Sequence, residues 1–382
     1  MIDDVRAIID EVRRDGDRAV LRLTERFDGA ELGPEQLRVD PAEVDASIGL
    51  LAPDVLDGLR MAIKNVKRVV EAQIAEPVTV DLDEGQRVEV TEVPVARAGI
   101  YVPAGKAPYP STVVMGAVTA RTAGVDEVVV CAPPGPAGEA NPVILAACAL
   151  CRVDEVYRMG GAQAIAALAY GTESVRAVDV IAGPGNAWVQ EAKRQVVGMV
   201  GIDGIAGPSE LVVVASAGAD PELIALDLRA QAEHGPDSLV AVIATEQDLL
   251  DAVAASAGEV KTVLAGDARA ALNAAEEMAP EHLELMGEEA EALAGEVRRA
   301  GCVFVGRDAD TAFGDYVAGS NHILPTGGAA RFQSALSAST FRRRMARVSL
   351  GEGAAARLAP SGAALARAEG FPVHAESMER RA

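Results

Sequence analysis

The 382-residue sequence has no GxGxxG, so a dinucleotide held by the usual glycine-rich turn of a Rossmann unit is not indicated. It has no apolar run approaching the ~18 residues of a membrane span, and its start, Met1-Ile2-Asp3-Asp4, lacks the basic stretch of a secretion signal. These absences predict a soluble, cytoplasmic protein. Basic residues are also short: 35 Lys and Arg stand against 57 Asp and Glu, for a formal net charge of −22. Such a surface repels phosphate backbones and anionic lipid, which argues against nucleic acid and membranes as partners. The local basic run Arg342-Arg343-Arg344-Met345-Ala346-Arg347 reads as a solvated helix face. Of four cysteines, Cys148 and Cys151 have CxxC spacing but lie inside the apolar run PVILAACALCRV without a partner pair, and Cys131 and Cys302 are isolated in strand-like segments. All four read as reduced core residues.

Histidine is equally scarce. The chain has four, His234, His282, His322 and His374, in the unusual surroundings AEHGPDS, PEHLELM, GSNHILPTGG and PVHAESM. A chain this poor in histidine seldom spends all four on packing. Around the first of them, Asp220-Pro221-Glu222 supplies an N-cap aspartate with proline at the first helical position, and Gly235-Pro236 supplies the stop. This predicts a helix whose last turn carries Gln231 and His234 on one face, three residues apart.

With 49% hydrophobic residues over this length, several cores are expected. Residues 5 to 27 read as one or two amphipathic helices, and DPAEVDASIGLL opens another with Asp40 as cap and Pro41 behind it, so the first hundred residues are largely helical. From about Arg97 short β-branched runs (GIYVPA, DEVVVCAPP, AVDVIAGPG, SELVVVAS, SLVAVIATE, KTVLAG, GCVFVG) alternate with Ala-rich helical stretches. That alternation is the signature of α/β folds with parallel sheets, and a switch near Gly207-Pro208-Ser209 favours two sequential α/β units over one. Residues 337 to 382 read as a small helical appendage without strands, too small to bury a core alone.

Three glycine-bearing turns stand at strand-to-helix junctions: Gly99 to Gly105, Gly160-Gly161-Ala162-Gln163 and Gly183-Pro184-Gly185-Asn186. Backbone amides at such helix starts suit a phosphate. The amides of Gln163 and Asn186 and the ring of Tyr101 make a nucleotide plausible there. Further along, Glu281-His282 pairs a carboxylate with an imidazole able to exchange a proton near neutrality. Asp315 and His322 lie in FGDYVAGSNH, and Glu369 and His374 in AEGFPVH. Together Gln231, His234, Asp315 and His374 would offer zinc two nitrogen and two oxygen donors. Zinc has no redox chemistry of its own, so it would hold and polarise a hydroxyl or carbonyl while electrons leave as hydride to a nicotinamide.

The segments YVPAGKAPYPSTVVM, GGAQAIAALAYGT, GPGNAWVQEAKRQV, GIDGIAGPSE, QAEHGPDS, APEHLELM, GDYVAGSNHILPTGGAARF and ARAEGFPVHAE resemble, in order and over nearly the whole chain, the histidinol dehydrogenase family. The resemblance implies an NAD-dependent enzyme that oxidises L-histidinol through L-histidinal to L-histidine at one Zn2+ per site. It makes Gln231, His234, Asp315 and His374 the zinc ligands, Glu281 and His282 the catalytic acid/base pair, Ser209 and Glu369 further substrate contacts, and Tyr101, Gln163 and Asn186 the NAD contacts. His322 matches a family position near the substrate. The fold it implies is two incomplete, Rossmann-like α/β domains with a helical N-terminal region: residues 1–99 with 211–336, and residues 100–210 carrying the NAD contacts. Residues 337–382 would then form a C-terminal arm in a homodimer whose active site is shared between subunits. In the implied chemistry His282 takes the alcohol proton and Glu281 activates the water that hydrates the aldehyde.

The sequence departs from the family in two places. A short N-terminal extension is expected to be missing, which would weaken dimer contacts, and position 104 is Ala where the family usually has Gly. A dehydrogenase of another polar alcohol, such as a sulfonated diol, is the alternative on the same scaffold, and Glu369, suited to a cationic substrate, favours histidinol. A zinc hydrolase would not need the nucleotide turns, and a non-catalytic metal or nucleotide binder would not need the Glu281-His282 pair.

Overall fold

The structure, a computed structural model, describes residues 1–103 and 107–382. The chain divides into two compact units, Met1–Gln73 with Val95–Phe341 and Ile74–Pro94 with Arg342–Ala382. In the first unit the valine-rich runs form two five-stranded sheets. One contains β1 (Arg97–Tyr101), β2 (Glu127–Ala132), β3 (Glu155–Arg158), β4 (Val180–Ala182) and β5 (Gly201–Ile202) in the order β3-β2-β1-β4-β5. The other contains β6 (Glu210–Ala215), β7 (Leu239–Ala244), β8 (Lys261–Leu264), β9 (His282–Met286) and β10 (Cys302–Val305) in the order β8-β7-β6-β9-β10. Every neighbouring pair in both sheets is parallel. Val128–Cys131 and Leu211–Ala215 are buried along their whole length, as expected where helices cover both faces of a sheet. The expected α/β class with parallel sheets is therefore what the chain adopts.

The strand order has a consequence for the site. Each sheet reverses its direction of growth beside its first strand, and α/β folds of this order bind ligands outside the strand ends at that crevice. In the first sheet the crevice lies between β1 and β4, where Gly183-Pro184-Gly185 leads into the helix Ala187–Val196. Asn186 caps that helix, its Oδ1 accepting from the amides of Trp188 and Val189. Gly183 has φ +122°, and a Cβ there would stand 2.1 Å from the Tyr101 carbonyl oxygen, so the turn requires glycine. The turn at Gly160-Gly161 likewise opens the helix Gly161–Tyr170. Of the first turn, Gly99 lies within β1 and Gly105 lies outside the described residues.

Helix starts follow their caps. Asp40 accepts from the Ala42 amide ahead of Pro41–Ala46, and Asp220 accepts from the amides of Glu222 and Leu223 ahead of Pro221–Ala232. The second helix ends two residues before His234, earlier than expected. Its tail tightens into three-residue turns, with His234 N donating to the Gln231 carbonyl at 3.2 Å and Gly235 N to that of Ala232 at 3.3 Å. The three-residue spacing still brings Gln231 and His234 together.

The second unit corrects two expectations. Val78–Asp81, Gln86–Pro94 and Arg342–Leu350 form an antiparallel sheet, so the C-terminal segment does contain a strand, while the first hundred residues are largely helical as expected, with strands from Val78 onwards. The basic run is part of that strand, not a helix face. Its charges are matched across the ladder, Arg344 with Glu92 and Arg347 with Glu89, a pairing between residues some 250 positions apart that a local reading cannot see. The helices Ala354–Ala368 and Pro372–Glu379 follow, packed on one another through Ala363, Ala366, Ala375 and Met378. Cys131, Cys148 and Cys151 are free and buried, whereas Cys302 is only half-buried.

Candidate active site

Beside the crevice of the first sheet opens a cavity of about 410 Å³. Its walls include Gly183 to Asn186 from the first sheet and Ser209, Glu281 and His282 from the second, with His234, Asp315 and His322 between them. The second sheet contributes the amino ends of β6 and β9, the opposite of the usual carboxyl-end rule, so its chemistry comes from residues entering strands.

Glu281 immediately precedes β9 and His282 begins it, so their side chains leave the backbone towards opposite faces. Glu281 is 7% exposed. Its Oε2 accepts from the Ser209 hydroxyl at 2.5 Å and from the Glu210 amide at 2.8 Å. Burial is the larger influence, and it pushes the carboxyl up to about 7 against those two donors. Ser209→Ala removes a donor that favours the charged form. Glu281 in the metal-free protein should then titrate above the wild-type value, read from the pH dependence of its carboxyl carbon shift by NMR; an unchanged or lower value would contradict this network.

His282 is 2% exposed, and burial holds it below the ordinary imidazole range. Its Nδ1 lies 3.0 Å from the Glu210 carbonyl, which fixes the neutral tautomer: Nδ1–H donates there and Nε2 keeps a lone pair. That lone pair lies 3.9 Å from Asp315 Oδ1. The pair thus contains a carboxyl poised near neutrality and an uncharged imidazole, two groups able to take protons at different stages.

Three further candidate ligands, Gln231, His234 and Asp315, meet here without a hydrogen bond between their side chains. Gln231, 1% exposed, donates through Nε2 to Ser209 Oγ at 2.6 Å, and its buried Oε1 has no partner. His234 turns Nδ1 to the Gln231 carbonyl at 3.2 Å, which leaves Nε2 free at 3.9 Å from Asp315 Oδ2. Two ligands on a tetrahedral zinc lie roughly 3.3 Å apart, so a closure of about half an ångström would let both reach one ion. An orphaned amide oxygen, a free imidazole nitrogen and a carboxylate fit a divalent cation. Asp315 is carried by the short helix Thr311–Tyr316, and its carbonyl receives His322 Nδ1 at 2.9 Å. Burial lowers His322 to about 4, so it is neutral. Among the described residues no three His, Cys, Asp or Glu side chains gather as a metal cluster. Glu369 and His374 belong to the second unit, Glu369 as the C-cap of Ala354–Ala368 and His374 within Pro372–Glu379.

Of the residues expected at a nucleotide, Asn186 lines the cavity, whereas Tyr101 and Gln163 do not. The Tyr101 ring is buried in the core, so what it can offer is its hydroxyl, which accepts from the Gly161 amide at 3.2 Å. Gln163 is buried with both ends of its amide unpartnered, an arrangement that suits a polar ligand group.

Two contributors escape a reading of the sequence. Glu210 holds the site from behind: its Oε2 accepts from Glu281 N at 3.1 Å and its Oε1 from Gly327 N at 3.0 Å, while its own N–H and carbonyl serve Glu281 and His282. The available signal was an acid heading a buried valine strand. Lys193, fully buried, donates to the Gly183 carbonyl at 2.8 Å and to Asp203, whose other oxygen accepts from Gly183 N at 2.7 Å. This pair pins the glycine turn. Lys193→Met should lower stability by about 3–5 kcal/mol, because Asp203 is left buried without its cation. A wild-type urea midpoint for the variant would contradict it.

A sequence model described as histidinol dehydrogenase matches residues 1–382. The chain is 44% identical to a histidinol dehydrogenase of Rhodospirillum rubrum, with 99% of this chain and 92% of the relative covered, and 42% identical to one of Gluconobacter oxydans over the same shares. The crystal structure of histidinol dehydrogenase from Elizabethkingia anophelis superposes with a TM-score of 0.94 at 31% identity, covering 99% of this chain and 91% of that one. An acetylating aldehyde dehydrogenase from Geobacillus thermoglucosidasius, 12% identical with a TM-score of 0.50, shares the fold alone over 92% of this chain and 97% of its own. With a family match over its whole length and relatives above 40% identity, the chain belongs to the histidinol dehydrogenases, oxidoreductases of histidine biosynthesis.

Proposed function

We propose that this chain carries out the four-electron oxidation of L-histidinol through L-histidinal to L-histidine, using NAD and one zinc ion at the cavity between its two parallel sheets. The observation that carries the reading is the pairing of Glu281, raised to about 7, with neutral His282 beside the unpartnered Oε1 of Gln231 and the approach of His234 Nε2 to the Asp315 carboxylate at 3.9 Å. When bound, NAD supplies the hydride acceptor for both oxidations, and zinc held by Gln231, His234, Asp315 and His374 supplies polarisation and a fixed substrate geometry. The remaining work falls to the chain itself.

In the first oxidation His282 Nε2 takes the hydroxyl proton, because an alkoxide releases hydride from its carbon far more readily than an alcohol does. Histidinal must then be hydrated. Glu281, in its ionised form, draws a proton from the attacking water, and His282 serves again when the hydrate gives up its second hydride. Asn186 and Gln163, with the Tyr101 hydroxyl, are assigned to the nucleotide. Ser209 and Glu369 are assigned to the substrate, Glu369 suiting its cationic amine. His374 and Glu369 are assigned to the partner subunit of a homodimer, on the strength of the family resemblance.

Among the described residues no helix is long and apolar enough to cross a membrane. Following NADH production with histidinol, histidinal and a sulfonated diol, with and without a chelator, tests the reading. Histidinol and histidinal should both be oxidised, and activity should disappear with the metal. Preference for the diol, or full activity after verified removal of all metal, would contradict it.

A further inference from the structure

Behind the cavity lies an acidic contact that the reaction does not use. Glu284 follows His282 by two residues on β9, so both side chains leave the same face of the strand. That face packs on the helix Pro221–Ala232, whose Ile224, Ala225 and Leu228 share a core with Met286 of the same strand. Glu284 is 0% exposed, and no N–H or hydroxyl donor among the described residues reaches either of its oxygens. Its neighbour is another acid. Asp227, 5% exposed and one helical turn before Gln231, brings its carboxyl within hydrogen-bonding reach of Glu284. A third acid, Asp310, is close enough to repel both, and it is already occupied as the N-cap of the Asp315 helix, accepting from Phe313 N at 3.0 Å. Neither Asp227 nor Glu284 lines the cavity.

Two ionised carboxylates cannot stay in contact at a buried position without a cation. One proton between them converts the repulsion into a charge-assisted O–H···O⁻ bond. We propose that Asp227 and Glu284 share a single proton, forming a buried clamp that fixes the helix bearing Gln231 and His234 against the strand that begins with His282. Glu284, the more deeply buried, holds the proton and donates it to Asp227. Burial together with the Asp227 charge pushes the Glu284 carboxyl up, and Asp227 itself is raised to about 6. The pair is a positioning device: it touches no reacting atom, and it joins one element that carries donors to another that carries the base. Its effect on the metal and on activity rests on the proposed function, whereas the shared proton does not.

The distinguishing property of such a clamp is that a carboxamide can replace its protonated member. In Glu284→Gln the side-chain amide donates to Asp227 with the shape and net charge unchanged, whereas Glu284→Ala leaves Asp227 buried and unpaired. The full-length protein is compared with both variants by infrared spectroscopy in H2O and D2O, by zinc affinity against a chromophoric chelator, and by kcat and KM for histidinol. The wild-type minus Glu284→Gln spectrum should show one deuterium-sensitive protonated-carboxyl C=O band lost at neutral pH. Zinc affinity should stay within about threefold of wild type in Glu284→Gln and fall about 10–100-fold in Glu284→Ala, as is usual for groups that orient ligands from behind. Absence of that band, or equal zinc losses in the two variants, would overturn the shared proton. Wild-type zinc affinity in Glu284→Ala would overturn the positioning role. If the alanine variant does not fold, the infrared band and the Glu284→Gln affinity still decide. A wild-type protein that bound no zinc and oxidised no histidinol would instead defeat the proposed function, with the infrared band still reading the clamp.

Discussion

His282→Asn should slow the oxidation of both histidinol and histidinal by about 100- to 10,000-fold, the range expected when a positioned base is lost. Each oxidation must release a proton from an oxygen whose carbon gives up hydride, and His282 Nε2 is the neutral, unbonded nitrogen at the head of β9 that faces the site. Asparagine keeps the donor towards the Glu210 carbonyl but has no comparable base. Glu281→Gln should behave differently. Hydration of the aldehyde is the stage that needs an activated water, so rates with histidinal should fall well below those with histidinol, measured in separate half-reactions. Equal losses in the two halves for Glu281→Gln, or an effect of His282→Asn confined to one of them, would reverse or remove these roles.

The other large effect is a recovery. His234→Ala and His374→Ala should each be inactive alone, because each removes one of the four proposed zinc donors. His234 meets Asp315 and Gln231 within the first unit, and His374 lies in the second. If the second unit of one subunit completes the site of the other, a mixed dimer holds one site with both defects and one with neither. Random exchange makes half of the dimers mixed, so activity should return to roughly a quarter of wild type under closed two-fold symmetry. No recovery, with subunit exchange shown independently, would mean that each chain completes its own site.

How much of this was legible beforehand depended on distance along the chain. Gln231 and His234 could be paired because three residues on a capped helix fix their relation, and the pairing survives although the helix stops at Ala232. Glu281 and His282 are adjacent, so their meeting needed no fold. The alternation of Val-rich runs with Ala-rich helices likewise announced parallel sheets, since each unit of that pattern is local. The misreadings concern partners that are remote in sequence. Arg342 to Arg347 became a strand because Gln86–Pro94 offers both a ladder and the matching acids Glu89 and Glu92. Glu210 could not be singled out because its two carboxylate contacts, Glu281 and Gly327, come from other parts of the chain. Which part of Tyr101 is available was likewise not legible: it lies at the end of a fully buried strand that packs its ring into the core and leaves its hydroxyl, accepting from the Gly161 amide. The acid pair Asp227–Glu284 was invisible for the same reason, one member on a helix and the other on a strand 57 positions later.

The central claim is that one site performs both oxidations in succession, and the ratio of NADH formed to histidinol consumed tests it most directly. With the zinc-loaded protein, limiting histidinol and excess NAD, the ratio should be two, with histidine as the product and no histidinal in solution. A ratio of one with histidinal accumulating would contradict the account, because Glu281 would then have no water to activate.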